Sequence, residues 1–316
     1  MKASTEMRIE RMKQQTIGVE VEMNSIRRSK AAKVAAEVFG TGRYEDTSRR
    51  NGYMAWSAWD ESGREWKFVK DVSIDGPSDE SCEMVTPILT YEDIELLQEV
   101  VRALRHAGAK SDATRGCGVH IHVGADGHDA RTLRNLANIM ASHERLLTDA
   151  LDLDPERIRH YCKTVDPCFL ERVNKRRPKT MAKLADIWYA STGNDYGRSQ
   201  HYNHSRYHML NLHSTFTKGT IEFRLFQFDA PTEGRKGGLH AGQLKSYIQL
   251  CLALSQMAKE QRGASSRPQQ TENPKYAMRT WLLRLGFIGE EFKTARELLT
   301  RRLSGDTAFR DMRRAA

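Results

Sequence analysis

Residues 16–23 read TIGVEVEM. Ile17, Val19, Val21 and Met23 alternate with Gly18, Glu20 and Glu22, and a period of two marks a β-strand with one face against a core. Side chains at i and i+2 of a strand share a face, so Glu20 and Glu22 point the same way. Like charges side by side on a sheet cost energy unless water solvates both or a cation lies between them. The same alternation returns in CGVHIHV at 117–123, where His120 and His122 share a face. Two imidazoles placed so can hold a metal or a phosphate, or can simply be partly buried and hydrogen-bonded. In TIEFRLFQF at 220–228, Glu222 and Arg224 share a face of an otherwise apolar strand. A cross-strand salt bridge would explain that pair, and so would phosphate recognition by the two-pronged guanidinium. SCEMVTP at 81–87 adds Glu83, with Asp71, Asp75 and Glu80 upstream as less specific candidates. Glu80 or Glu83 could take the same place on a short strand after a one-residue shift.

From these strands the reading extends outward. WKFVKDVS at 66–73 and the segment 81–87 predict two strands around the turn DGPSDE, and 209–216 predicts another strand before that at 220–228. Apolar residues at helical spacing predict helices over 29–39, 91–106, 130–151 and 237–257. Residues 152–207, rich in Arg, Lys, His and Tyr, predict loops around one short helix at 181–189. The expected organisation is a lead-in at 1–15, a catalytic domain at 16–262, a Ser/Pro/Gln-rich linker at 263–273 and a basic helical extension at 274–316.

The chain has 316 residues, 39% hydrophobic and 29% charged, the balance of a globular protein rather than a disordered one. No apolar run approaches the length of a membrane span, and the charged N-terminus lacks the apolar stretch of a signal peptide, so a cytoplasmic protein without membrane contact is expected. The 5 cysteines are odd in number and form no CxxC pair, which argues against a disulfide framework or a structural zinc site. The net charge is +9, and from Gln256 to Ala316 there are 13 Lys/Arg against 7 Asp/Glu. Most of the excess therefore lies in the last fifth, which reads as a solvated basic tail or as a docking site for an anionic polymer or a protein partner.

If the strands share one sheet, its open face gathers Glu20, Glu22, Glu83, His120, His122, Glu222 and Arg224. Such a face needs cations, and oxygen-rich ligation favours Mg²⁺ or Mn²⁺, often with a nucleotide phosphate. No GxxxxGK(S/T) loop, GxSxG elbow, HExxH helix or kinase motif set is present. Cys117, near the two histidines, reads as a small core residue rather than a nucleophile.

GVEVEM at 18–23, DVS with EMVTP between 71 and 87, GVHIHV at 118–123, RYHMLNLHS at 206–214 and TIEFRLF at 220–226 stand in the same order as the motifs of a known family. With RHYCK at 159–163, the chain resembles the amidoligases of the glutamine synthetase and glutamate–cysteine ligase superfamily over 16 to about 258. The resemblance implies an α+β fold: a curved antiparallel sheet with helices packed on its convex face, as in the ligase domain of glutamine synthetase, followed here by a C-terminal helical extension. It implies ATP and Mg²⁺ in the cup. Glu20, Glu22, Glu83, His120 and Glu222 would face the metal, and His122 the nucleotide phosphates. Arg224 would contact the transferred phosphoryl, with Glu22 and Glu222 also catalytic. Arg206 and Asn211 would hold phosphate or substrate, and Arg159 and Tyr161 are further candidates. A carboxylate would attack ATP to give an acyl phosphate, and an amine would then displace phosphate, losing its proton to a carboxylate such as Asp71 or Asp75. The substrates would be small-molecule or peptide carboxylates and amines. Two other readings remain open: a metal-dependent hydrolase or nuclease using the same Glu/His cluster, and a non-catalytic binding protein using the basic tail.

Overall fold

The computed structural model describes residues 2–308 apart from 235 and 269. The basic residues Arg310, Arg313 and Arg314 of the expected extension lie outside the described residues. In chain order, the first part holds α1 (Lys2–Lys13), β1 (Ile17–Met23), α2 (Arg28–Val38), β2 (Tyr44–Asp46), α3 (Ser48–Asn51), β3 (Trp56–Trp59), β4 (Glu65–Val69), β5 (Cys82–Val85) and α4 (Ile94–His106). The middle holds β6 (Val119–Gly124), α5 (Ala130–Leu151), α6 (Pro155–His160), α7 (Pro167–Arg176) and α8 (Met181–Thr192). The rest holds β7 (Leu210–Asn211), α9 (His213–Lys218), β8 (Thr220–Phe226), α10 (Ala241–Glu260), α11 (Pro274–Leu285) and α12 (Lys293–Thr300). The fold is α+β, as the sequence predicts.

The chain divides into two compact units. The sheet unit comprises Thr16–His122 and Phe226–Lys245. Its strands run in the order β2-β3-β4-β5-β1-β6. The pairs from β2 to β1 are antiparallel, with Glu20 opposite Val85 and Glu22 opposite Glu83. The alternation in β1 works as read: Val19, Val21 and Met23 are fully buried. α2 packs on β2, β3 and β4 and against α4. Its alanines Ala31, Ala32, Ala35 and Ala36 let the helix approach the sheet closely, and Phe39 just beyond it meets Trp66 at 5.0 Å between ring centres. Burying a ring of this size contributes about 2 kcal/mol. Arg28, also buried, donates to the carbonyls of Met54, Ser78 and Ser81 and so ties down the loop that leads into β5.

The helical unit comprises the chain up to Gln15, Val123–Leu225 and Ser246 onward. The segment 1–15, read as a polar lead-in, is mostly the helix α1. Arg8 donates to the carbonyl of Arg284, and Lys13 pairs with Glu291 at 3.0 Å, so α1 is fastened to the C-terminal helices. α5 begins where the sequence places it. Asp129 accepts from the Thr132 amide at 2.7 Å while the Thr132 hydroxyl accepts from the Asp129 amide at 2.8 Å, a reciprocal cap. α7 and α12 pack on α5, and His143 stacks on Trp281 at 3.9 Å. The basic C-terminal helices thus share a core with residues 123–225.

Two readings of this unit need correction. Residues 152–207 carry α6 and α7 as well as α8. Asp154 and Asp166 each accept backbone amides at a helix start followed by Pro155 and Pro167, and an Asp-Pro pair is a good helix beginning because proline needs no hydrogen bond at N1. Residues 209–216 are not one strand. Only Leu210 and Asn211 pair with β8, opposite Phe223 and Glu222. The Asn211 side chain then accepts from the Ser214 amide, and the chain coils into α9 until Gly219 stops it at φ 71°.

Candidate functional site

The charged face of the sheet unit is built from three neighbouring strands. β1 supplies Glu20 and Glu22, β5 sets Glu83 opposite Glu22, and β6 supplies His120 and His122. His120 Nδ1 lies 3.0 Å from Glu20 and its Nε2 lies 3.7 Å from Glu22. His122 Nε2 lies 3.3 Å from Glu20. The Gly118 amide donates to Glu22 at 2.5 Å, fixing that carboxylate from the backbone. Glu22 and both histidines are buried. Burial pushes the Glu20 carboxyl upward, but the imidazoles of His122 and His120 more than offset this and hold it well below the usual carboxylate range.

Donor atoms of Glu20, Glu83 and His120 lie within 4.8 Å of one another, and those of Glu22, Asp71 and Glu83 do the same. Glu83 belongs to both groups, so four carboxylates and one imidazole converge in this unit. Oxygen donors from short acidic side chains, with one nitrogen, fit a hard divalent cation such as Mg²⁺ or Mn²⁺ better than a thiophilic one. Strand register bears on the choice between Glu80 and Glu83. Glu83, opposite Glu22, joins the group; Glu80 precedes β5 and does not. Asp71 joins through the turn after β4, where its Oδ1 accepts from the amide and hydroxyl of Ser73. Asp75 belongs to neither group.

Glycine makes the close approaches. A Cβ on Gly18 would lie 3.3 Å from the Cβ of His122, so a side chain on β1 there would require β6 to give by a few tenths of an ångström. Gly116, at φ 68°, leads into β6, and a Cβ on it would meet the Ser73 carbonyl at 2.6 Å. The turn after β4 and the chain leading into the histidine strand therefore run close together, and the Asp75 amide donates to the Arg115 carbonyl at 3.0 Å.

In the helical unit, β8 presents Glu222 and Arg224, and both are buried. Glu222 accepts from the Asn211 amide group at 2.7 Å and from Arg224 Nη1. This is an ion pair between i and i+2 on one strand, supported by β7. The Arg224 guanidinium lies 5.8 Å from the ring of Tyr207, and Arg206 lies 5.8 Å from the same ring. The Arg206 Nε is buried without a hydrogen-bond partner. The structure thus brings Arg206, Asn211, Glu222 and Arg224 onto one small framework. Tyr207, which links the two guanidiniums, was not singled out from sequence; its place inside RYHMLNLHS was the available signal. Arg159 stands apart, exposed and paired with Glu156 at 3.1 Å. Tyr161 is 42% exposed. Cys117 is buried, as a core residue should be, and all five cysteines are free.

The sequence profile of the family described as "Putative amidoligase enzyme" matches residues 13–255. No curated protein matches the chain. Among solved structures, the chain is similar to the crystal structure of a bifunctional glutathione synthetase from Pasteurella multocida, at 13% identity and a TM-score of 0.43, over 95% of this chain and 49% of that one. The chain spans about half the length of that synthetase. Among the described residues, no helix is long and apolar enough to cross a membrane.

Proposed function

The chain belongs to the amidoligase family, and from that premise we propose that it is an ATP- and Mg²⁺-dependent carboxylate–amine ligase working through an acyl phosphate. One observation carries the reading: within the family's matched span, four carboxylates and His120 from three strands and the turn after β4 converge at distances that suit a divalent cation. In this reading Glu20, Glu22, Glu83 and His120 hold Mg²⁺, with Asp71 beside them. The bound cation supplies neutralisation of phosphate oxygens.

The chemistry assigned to the chain's own residues follows from their charge. A substrate carboxylate oxygen bonds to the γ-phosphorus of ATP while the bond to the β-bridging oxygen breaks, giving acyl phosphate and ADP. Arg224 donates hydrogen bonds to the transferring phosphoryl, and Glu222 with Asn211 keeps its guanidinium in place. A neutral amine then bonds to the acyl carbon, inorganic phosphate leaves, and the amine's proton passes to a carboxylate. His122, held by Glu20, is assigned to the nucleotide phosphates, and Arg206 to phosphate or substrate. The working compartment proposed is a reducing one, consistent with five free thiols.

The test is nucleotide turnover with Mg²⁺ and pools of carboxylates and amines, beside Glu22→Ala and Arg224→Ala. ADP and phosphate from the wild type alone support the proposal. AMP and pyrophosphate would replace acyl phosphate with adenylation. Metal-dependent cleavage of a substrate with no nucleoside triphosphate would favour the hydrolase reading.

A further inference from the structure

The helical unit contains a cavity of about 520 Å³ outside the carboxylate cluster. This is within the range of small-molecule sites, roughly 300–1,000 Å³. Its frame is stiff. Lys163 and His208 form a parallel bridge, in which Lys163 donates to the Tyr207 carbonyl at 3.0 Å and Met209 donates to the Lys163 carbonyl at 2.7 Å. His208 Nδ1 is 2.7 Å from the Thr164 carbonyl and donates to it, and burial lowers the pKa of the ring, which favours Nε2 as an acceptor.

The lining offers three kinds of recognition. Lys163 has no carboxylate partner among the described residues, so its ammonium is available to an anion. Ser191 Oγ is buried and makes no hydrogen bond. Tyr161 and Tyr207 meet edge to face at 6.5 Å and form an aromatic wall, extended by His160 and His204. The acidic group present, Asp166, accepts from the Phe169 amide at 2.7 Å as the cap of α7. Its charge is thereby partly committed to the helix start. Tyr207 is also the ring under Arg224, which joins the cavity wall to the guanidinium assigned to phosphoryl transfer.

We infer that this cavity binds a planar, aromatic carboxylic acid, its carboxylate on Lys163, its ring against Tyr161 and Tyr207, and a polar substituent within reach of Ser191 and His208. Resting on the ligase reading, this acid is the substrate that is phosphorylated.

The test measures binding to the full chain without nucleotide, by calorimetry and ligand-observed NMR. The probes are benzoate, 4-hydroxybenzoate, nicotinate and indole-3-acetate, each beside its neutral amide. At least one acid should bind at least tenfold more tightly than its amide. Lys163→Met should erase that difference, Ser191→Ala should weaken binding severalfold, and Lys175→Met, on α7 away from the cavity lining, should change nothing. Lys163 is exposed and bridges His208 through its backbone, so the variant keeps the frame. No acid binding, equal binding of acids and amides, or indifference to Lys163→Met overturns the assignment. ADP release with MgATP and an amine pool separates the two claims. Aromatic-acid binding without ADP would overturn the ligase reading and leave the cavity as a carboxylate site. ADP release with aliphatic acids alone would overturn the cavity assignment and leave the ligase.

Discussion

Glu83→Gln should make the protein more stable in a chelator and less stable in Mg²⁺. Glu83 shares donor distances within 4.8 Å with Glu20 and with Glu22 and Asp71. At an effective dielectric of about 20, two unit charges about 5 Å apart repel by about 3 kcal/mol, and in bulk water by under about 1 kcal/mol. Glu83 is partly exposed and His120 offsets some of the repulsion, so each pair lies near the lower figure. Counting its repulsion with the three carboxylates alone, neutralising Glu83 relieves about 2 kcal/mol, which for a chain of this size is worth roughly 4 °C in melting temperature. A cation that binds only the folded state at a hundred times its dissociation constant stabilises it by about 2.7 kcal/mol. The wild type should gain that on adding Mg²⁺ and Glu83→Gln should gain little, so the two melting curves should exchange order between EDTA and Mg²⁺. Differential scanning calorimetry reads both states. A variant that melts lower than the wild type in EDTA, or that gains as much from Mg²⁺, would refute the view that these carboxylates repel one another and share a cation.

Three further outcomes follow from particular contacts. Burial pushes the Glu144 carboxyl up to about 7 although it accepts from the Val165 amide. A folded value above the unfolded one means that this group's stabilisation is full below about 4.5 and is lost as pH rises through about 7, by about 3 kcal/mol. Glu144→Gln keeps an acceptor, so its urea unfolding should lack that decline between pH 5 and pH 8, and an unchanged slope would exclude Glu144 as its source. Gly18→Ala would crowd His122, whose Cβ is 3.3 Å from the added methyl. Overpacking here should cost about 1–3 kcal/mol, and a variant as stable as the wild type in chemical denaturation would show that β6 can yield. Arg224→Lys keeps the charge beside Glu222 but loses the two-pronged donor, so ADP formation should fall about 100-fold or more in kcat with the folded state retained; near-normal kcat would remove Arg224 from phosphoryl transfer.

What the sequence disclosed depended on how local each signal was. β1, β6 and β8 were legible because strict alternation needs no partner to be recognised. α5 was legible from its length and its apolar residues at helical spacing. The short strands β2 and β3 escaped, since a three- or four-residue strand has too few positions to show a period. α9 was misread because buried Met209, Leu210 and Leu212 mimic an alternating strand, while the turn into the helix is set by the Asn211 side chain, a contact that spacing does not express. α6 and α7 carried a local signal in their Asp-Pro starts, but loop-like composition outweighed it.

The candidate site divides along the same line. Glu20 with Glu22, and His120 with His122, each lie two apart on one strand, so their shared face was fixed by backbone geometry before any fold was known. Glu83 was ambiguous because its membership is a matter of register between strands, and Asp71 because it lies in the turn after β4, which spacing does not place. A slip of one residue in β5 would have turned Glu83 to the other face and removed it from both donor groups. That register is held by features remote from the charges: the buried Arg28 grips the carbonyls of Ser78 and Ser81, just ahead of β5, and Gly116 lets the β6 turn close on Ser73. The acidic cluster therefore rests on an arginine and a glycine that have no part in its chemistry. Losing the Arg28 guanidinium should disturb cation binding through Glu83 while every proposed ligand remains in the sequence.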